Sequence, residues 1–391
     1  MSPQKNLDFV DSIRGLAILL VILVHFGQWF PGLVNMPHIM FEYGQMGVQL
    51  FFVASAFTLT LSSSQRRDES FYLEKFYIRR FFRIAPVYYF GILLYLLVRM
   101  AKESQELHAF QWPADYTFSA ILANIFLVHG FVPEANNSIV PGGWSIGTEV
   151  AFYFIFPFYL PVIKRVAGNN IISHIGLNIA VLILTLLSIR GIYLGTGNYL
   201  ENNSFLYFNL LNQLPVFTLG ISYYSYWKTD CKSSVILNFC FFLGFTSLSV
   251  YLWLQQPFIE QFTLVPYTAG ISFLFLIELF RRIAWLNSGL LMSIGKHSYT
   301  MYIIHILIVY IFSRLIGKFL KGGDLLAAPS YVVVVFATFY TAKFLSRYIE
   351  SPFINYGKKV CNRFVKREIK HPSLPAAGVD VRAVPPVENE S

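Results

Sequence analysis

Leu7-Asp-Phe-Val-Asp11-Ser-Ile-Arg14-Gly-Leu-Ala-Ile-Leu-Leu-Val-Ile-Leu-Val-His25-Phe26 decides the fold, because every residue between Arg14 and His25 is glycine or apolar. A helix needs roughly 20 predominantly apolar residues to cross a bilayer, so this stretch predicts a spanning helix with a histidine inside it. Lipid tails offer nothing to the ring nitrogens, and an ionisable side chain at that depth is a functional-site hypothesis. At 3.6 residues per turn the step from Arg14 to His25 is about three turns plus 20°, so the two share a face, His25 roughly 16 Å further in. Asp11, one turn before Arg14, lies close to the same line.

The rest of the chain agrees with a membrane solvent. Of 391 residues 55% are hydrophobic, 18% aromatic and only 13% charged, and the mean hydropathy is +0.53. A soluble domain carries about twice that charge fraction. The formal charge of +9 does not point to nucleic acid, since the basic residues fall between apolar segments and in the tail, where membrane orientation explains them. Cys231, Cys240 and Cys361 have neither metal-ligand spacing nor the even count of a disulfide framework. The first apolar segment lacks a basic n-region and a small-residue cleavage site, so it is expected to be retained.

Apolar segments of spanning length occur near residues 13–30, 44–62, 84–100, 145–163, 171–189, 205–226, 235–254, 264–280, 299–320 and 330–349. The expected fold class is therefore all-α, a polytopic bundle of about ten transmembrane helices. A shorter run, Thr117–Val132, contains Asn124 and His129 and reads as an additional re-entrant or interfacial helix. If it does not span and the amino terminus is cytoplasmic, 24 of the 30 Lys and Arg fall inside; if it spans, only twelve do. The positive-inside rule prefers the first arrangement, with both termini cytoplasmic. Residues 366–391 are polar, carry prolines and lack periodicity, and are expected to form a disordered cytoplasmic tail after a transmembrane domain at 7–355.

Four further motifs place polar groups where a bilayer does not tolerate them. Arg79-Arg80-Phe-Phe-Arg83 precedes the third span, and Arg80 and Arg83 share a face if a helix begins there. Two guanidinium forks at that face can grip phosphate, although basic residues at a helix end also serve orientation alone. Gly142-Gly-Trp144-Ser-Ile-Gly-Thr-Glu149-Val-Ala-Phe-Tyr153 sets a carboxylate about one turn into a helix. Glu149 is too short to reach water readily, whereas Trp144 is equally an interfacial anchor. Tyr299-Thr-Met-Tyr302-Ile-Ile-His305 carries a second intramembrane histidine, open to a structural or a functional role. Arg347-Tyr-Ile-Glu350-Ser-Pro352 offers an i,i+3 ion pair and a helix stop. Ser55, Asn178, Asn212 and Gln213 are expected to bond between helices.

Taken in order, these elements resemble the acyltransferase 3 family of membrane proteins. To them are added Gly47-Val-Gln-Leu-Phe-Phe-Val-Ala-Ser55-Ala-Phe57 and the continuation of the Glu149 motif to Pro157, so the resemblance runs from about residue 7 to 355. Two departures stand out: Ser55-Ala56-Phe57 replaces the usual Ser-Gly-Phe, and the fused extracytoplasmic domain of many relatives is not seen, which weighs against a peptidoglycan acceptor. The resemblance implies an O-acyltransferase that moves an acyl group, most often acetyl, from cytosolic acetyl-CoA to a hydroxyl of a surface or exported polysaccharide or lipid-linked oligosaccharide in a bacterial inner membrane. It implies no metal and leaves the oligomeric state open. His25 matches the family's catalytic histidine, with Glu149 or Asp11 orienting its ring. Arg14, Arg80, Arg83 and His305 are the candidate coenzyme-binding residues, and Trp144 and Tyr153 the candidate acceptor-binding ones. A direct attack assisted by His25 and a relay through an acyl-histidine both remain open. The rival class is a transporter or flippase without covalent chemistry, which also places charges inside helices but is expected to show inverted repeats and broken helices; neither is evident in the sequence. A structural role for the buried ions is the third reading.

Overall fold

The computed structural model describes residues 7–29, 41–107, 112–196, 204–231, 233–255, 259–316 and 326–370. Among them the chain forms helices and turns and no strand. The helices are α1 (Asp8–Trp29), α2 (Gly47–Gln65), α3 (Tyr72–Leu107), the short α4 (Phe118–Ile125), α5 (Gly143–Ala167), α6 (Ile171–Thr196), the single-turn α7 (Phe205–Phe208), α8 (Leu210–Lys228), α9 (Val235–Leu254), α10 (Gln261–Arg282), the short α11 (Gly289–Lys296), α12 (Ser298–Ile316), α13 (Ala327–Leu345) and α14 (Ser351–Lys370).

Nine helical spans among the described residues are long and apolar enough to cross a membrane, which makes this a multi-pass helical bundle. The tenth expected span, α8, falls outside the nine because Asn212, Gln213 and its tyrosines make it too polar. Its polar groups are used between helices instead. Asn212 donates to the Phe262 carbonyl at 2.8 Å and accepts from Thr263 Oγ1 at 2.6 Å, while Gln49 donates to Gln213 Oε1 at 3.1 Å. Ser55 and Asn178 likewise bond across helices, to Glu149 and Ser222. The apolar window of α2 is 78% buried and that of α9 only 11%, so α2 runs through the core and α9 along the periphery.

α1 is held in the bundle by α2, α12 and the short α11. α11 crosses α1 so closely that a Cβ on Gly295 would lie 1.8 Å from the Asp11 carbonyl oxygen, and one on Gly15 would lie 2.3 Å from that of Leu291. Hydropathy gave no hint of α11, since eight residues are too few to register as a span.

α4 is also eight residues long, about 12 Å, and does not cross, in keeping with the short run read as interfacial or re-entrant. Its groups Asn124 and His129 are structural. His129 Nε2 donates to the Gly143 carbonyl at 3.1 Å and lies 3.0 Å from the Tyr88 hydroxyl, which donates to Asn124 Oδ1 at 2.6 Å. This network ties the turn after α4 to α3 and to the start of α5.

Two helix boundaries differ from the sequence reading. α3 begins at Tyr72 and runs for 36 residues, so Arg80 and Arg83 lie more than two turns inside a helix instead of at its start. After α13 the chain does not stop at Pro352: a π-turn over Ser346–Glu350 leads straight into α14. Pro352 has no N–H to give, and the wider π-turn before it, with the Ser351 N–H bonded to the Ser346 carbonyl, carries the helix past it. The π-turn carries Glu350 inward, where it accepts from Thr300 Oγ1 at 2.7 Å and Ser346 Oγ at 2.9 Å, and Arg347 lies over the Tyr348 ring instead of pairing with it. Residues 366–370 of the expected tail continue α14, and 371–391 lie outside the described residues.

The α1–α11 crossing is directly testable. Gly295→Ala forces a methyl into a backbone carbonyl and is expected to cost about 1–3 kcal/mol, the usual range for overpacking. Gly176→Ala on α6, where nothing lies within 4 Å, is the control. Melting temperatures in detergent should fall for the first variant and not for the second; equal values would contradict the tight crossing.

Candidate active site

Three helices bring ions to one narrow cavity of about 70 Å³, and a fourth adds a serine. α1 supplies Arg14, α3 supplies Arg80 and Arg83, α5 supplies Glu149 and Tyr153, and α2 supplies Ser55. The lining thus holds three guanidinium groups against one carboxylate. Neutral donors hold that carboxylate: Glu149 Oε1 accepts from Ser55 Oγ at 2.5 Å and from the Tyr153 hydroxyl at 2.6 Å. Arg14 donates to Thr58 Oγ1 at 3.1 Å. The guanidinium carbon of Arg80 lies 5.6 Å from the centre of the Tyr153 ring and 5.8 Å from that of Phe76, and its buried Nε has no hydrogen-bond partner among the described residues. An arginine has five N–H donors in a fixed fork, so this cluster presents donors and positive charge in excess of what the protein answers. Chemically, such an arrangement can take up an anion.

A second, wider cavity of about 570 Å³ lies further along α1. His25 faces it, together with Gln28, Gln45, Asn137 and Gln261 and the rings of Trp144, Tyr207, Phe208, Trp253 and Phe262. Trp144 is stacked on Phe208 at 4.4 Å and meets Phe52 edge-on at 6.2 Å, so it is packed as part of the wall. His25 Nδ1 lies 2.9 Å from Gln28 Oε1. Because that oxygen is an acceptor, Nδ1 carries the hydrogen and Nε2 keeps its lone pair.

Val48 and Tyr302 line both cavities and so form the wall between them. The Tyr302 hydroxyl accepts from Ser145 Oγ at 2.7 Å and donates to the Gly142 carbonyl at 3.0 Å. Gly142 caps α5 at φ +76°, a backbone state that favours glycine, and a Cβ there would lie 3.2 Å from the Tyr302 hydroxyl.

The nine candidate residues therefore divide into two groups and two outliers. Arg14, Arg80, Arg83, Glu149 and Tyr153 meet in the narrow cavity, and His25 and Trp144 meet in the wide one. Tyr153, expected on the acceptor side, stands instead with the arginines. Glu149 was expected beside His25, but its hydrogen bonds go to α2 and α5 across the Tyr302 wall, and Gln28 takes the place beside the imidazole. Asp11 lines neither cavity; its backbone is packed on Gly295 at the start of α1. His305 lines neither cavity, and its ring centre lies 5.1 Å from that of His25 instead of among the arginines.

Gln28, Gln45, Asn137 and Gln261 escaped the sequence reading. Gln28 had a signal, being one turn beyond His25 on the same helix face. The other three come from separate segments and had none.

A sequence family described as Acyltransferase domain matches residues 7–346. The peptidoglycan O-acetyltransferase OatA of Listeria monocytogenes serovar 1/2a is 25% identical over 401 residues, covering 91% of this chain and 58% of that protein. The O-acetyltransferase OatA of Staphylococcus aureus is 25% identical over 390 residues, covering 92% of this chain and 59% of that protein. The chain thus spans less than two thirds of the length of either relative. No solved structure matches. With the match reaching from the first turn of α1 to the end of α13, the chain belongs to the acyltransferase 3 family.

Proposed function

We propose that this protein is a membrane O-acyltransferase that moves an acetyl group from acetyl-CoA to a hydroxyl of a surface or exported carbohydrate, either a polysaccharide or a lipid-linked oligosaccharide. The observation that carries the reading is the pair of cavities sharing Val48 and Tyr302, one rich in guanidinium and the other holding an imidazole with a free lone pair among aromatic faces. Coenzyme A is an anion with a long flexible arm; phosphates suit Arg80, Arg83 and Arg14. Sugars present apolar ring faces and many hydroxyls, which suit the aromatic and amide lining of the wider cavity. The relatives' printed activity, O-acetyl transfer, supports acetyl as the group carried.

In this reading the arginines hold the coenzyme on the cytoplasmic side of a bacterial inner membrane, with both termini on that side, as the distribution of Lys and Arg supports. The narrow cavity is too small for the pantetheine arm, so the Tyr302 side chain moves aside when the donor enters. His25 Nε2 takes the proton of the acceptor hydroxyl as its oxygen attacks the thioester carbonyl. The new C–O bond forms, the C–S bond breaks, and the departing thiolate takes the proton from His25. Gln28 holds the ring in the tautomer that this step needs. Glu149 fixes Tyr153 and Ser55 and partly offsets the guanidinium charge.

Two substitutions separate the roles. In proteoliposomes, His25→Ala should lower acetyl transfer by about 10² to 10⁴, the usual worth of a general base, while acetyl-CoA still binds. Arg80→Gln should raise the KM for acetyl-CoA by roughly tenfold or more, the value of one charge-assisted hydrogen bond. Mass spectrometry of the acceptor and a thiol assay for released coenzyme read both. Unchanged transfer in His25→Ala would remove the proposed base, and an unchanged KM in Arg80→Gln would remove the proposed coenzyme site.

A further inference from the structure

His305 on α12 is fully buried, and the steps above do not use it. Its Nδ1 lies 2.6 Å from the Tyr302 carbonyl oxygen. A carbonyl only accepts, so Nδ1 carries the hydrogen and Nε2 presents a lone pair. That Nε2 is buried without a hydrogen-bond partner among the described residues. The two histidine rings are 5.1 Å apart between centres and tilted by 47°. Both rings are thus held as the Nδ1–H form, one by Gln28 and one by the Tyr302 backbone.

A buried acceptor without a donor is costly and calls for an explanation, and a charge that appears beside it during the reaction supplies one. We propose that His305 is a positioning residue for His25: its uncharged ring sets the His25 ring in place and its lone pair stabilises the imidazolium that His25 becomes when it takes the acceptor's proton. It fills the third position expected of Glu149 or Asp11, using a neutral lone pair instead of a carboxylate. The proton itself passes from the acceptor oxygen to His25 and on to the thiolate sulfur, and His305 ends each cycle as it began. Because Tyr302 is both the wall residue and the anchor of His305, donor entry is mechanically linked to the setting of the base. The inference rests on the acetyl-transfer reading.

The test compares three variants of the full chain in proteoliposomes with acetyl-CoA and a chito-oligosaccharide acceptor, with melting temperature as a check of fold. His305→Leu removes the lone pair, and His305→Gln keeps an acceptor atom at about the same reach. His305→Asn is as polar as Gln but too short to place its oxygen there, so the Gln and Asn pair carries the test if Leu prevents folding. The expected result is a fall in kcat of about 10- to 100-fold for Leu and Asn with the KM for acetyl-CoA unchanged, recovery of most of kcat by Gln, and no further loss when His305→Leu is added to His25→Ala. A raised KM with unchanged kcat would make His305 a coenzyme-binding residue and overturn the proposal. Gln as defective as Asn, or Leu fully active, would overturn it too. Failure of the acetyl-transfer reading looks different: there His25→Ala itself leaves transfer intact.

Discussion

Hydrocarbon offers a polar side chain nothing to bond, and every buried ion in this bundle has to be answered from within the protein. Most are. Glu278 takes the Tyr223 hydroxyl at 2.7 Å and is flanked by Arg281 and Arg282. Glu350 is closed by Thr300 and Ser346, and Glu69 holds Arg79 at 2.9 Å and Lys75 at 3.6 Å. These groups reinforce joints between segments. The narrow cavity departs from that pattern, because its lining sets one carboxylate, Glu149, itself held by hydroxyls, among three guanidinium groups, with Asp11 acting on Arg14 and Arg83 from outside the lining. In the proposed function the incoming coenzyme's phosphates complete the charge balance.

Tyr302 then becomes the joint of the account. Its hydroxyl closes the wall by bonding at the cap of α5, its backbone carbonyl sets His305, and its ring stands 6.3 Å from Phe51 and 5.4 Å from His305. In the proposed function water has to be kept from the thioester while the acyl group passes across. A tyrosine held by two hydrogen bonds meets both needs, since hydroxyl bonds of this kind are worth only about 1 kcal/mol net each and can be exchanged for contacts with a ligand.

Hydropathy made the bundle legible, because spans of about 20 apolar residues admit few readings. It also placed Arg14 and His25 on one face of α1, a matter of helical period alone. What it could not supply was azimuth between helices. The resemblance puts Glu149 beside His25, yet the two face different cavities because α5 and α1 present those residues to opposite sides of Tyr302. The starts of α3 and α14 were misjudged for another reason: a helix that leaves the apolar layer continues through charged residues such as Lys75 and Lys358 without any change of backbone. The lining of the wide cavity comes from many segments, and no spacing in one sequence announces such a meeting.

The central claim is that the donor and the acceptor approach His25 from opposite sides of one wall. Sealed vesicles with the protein in a single orientation, acetyl-CoA on the side of the α1 amino terminus and a chito-oligosaccharide on the other, test it most directly. The account predicts acetylated oligosaccharide in this arrangement and none when the two reagents are exchanged. Product formed only when both reagents share one side would contradict it.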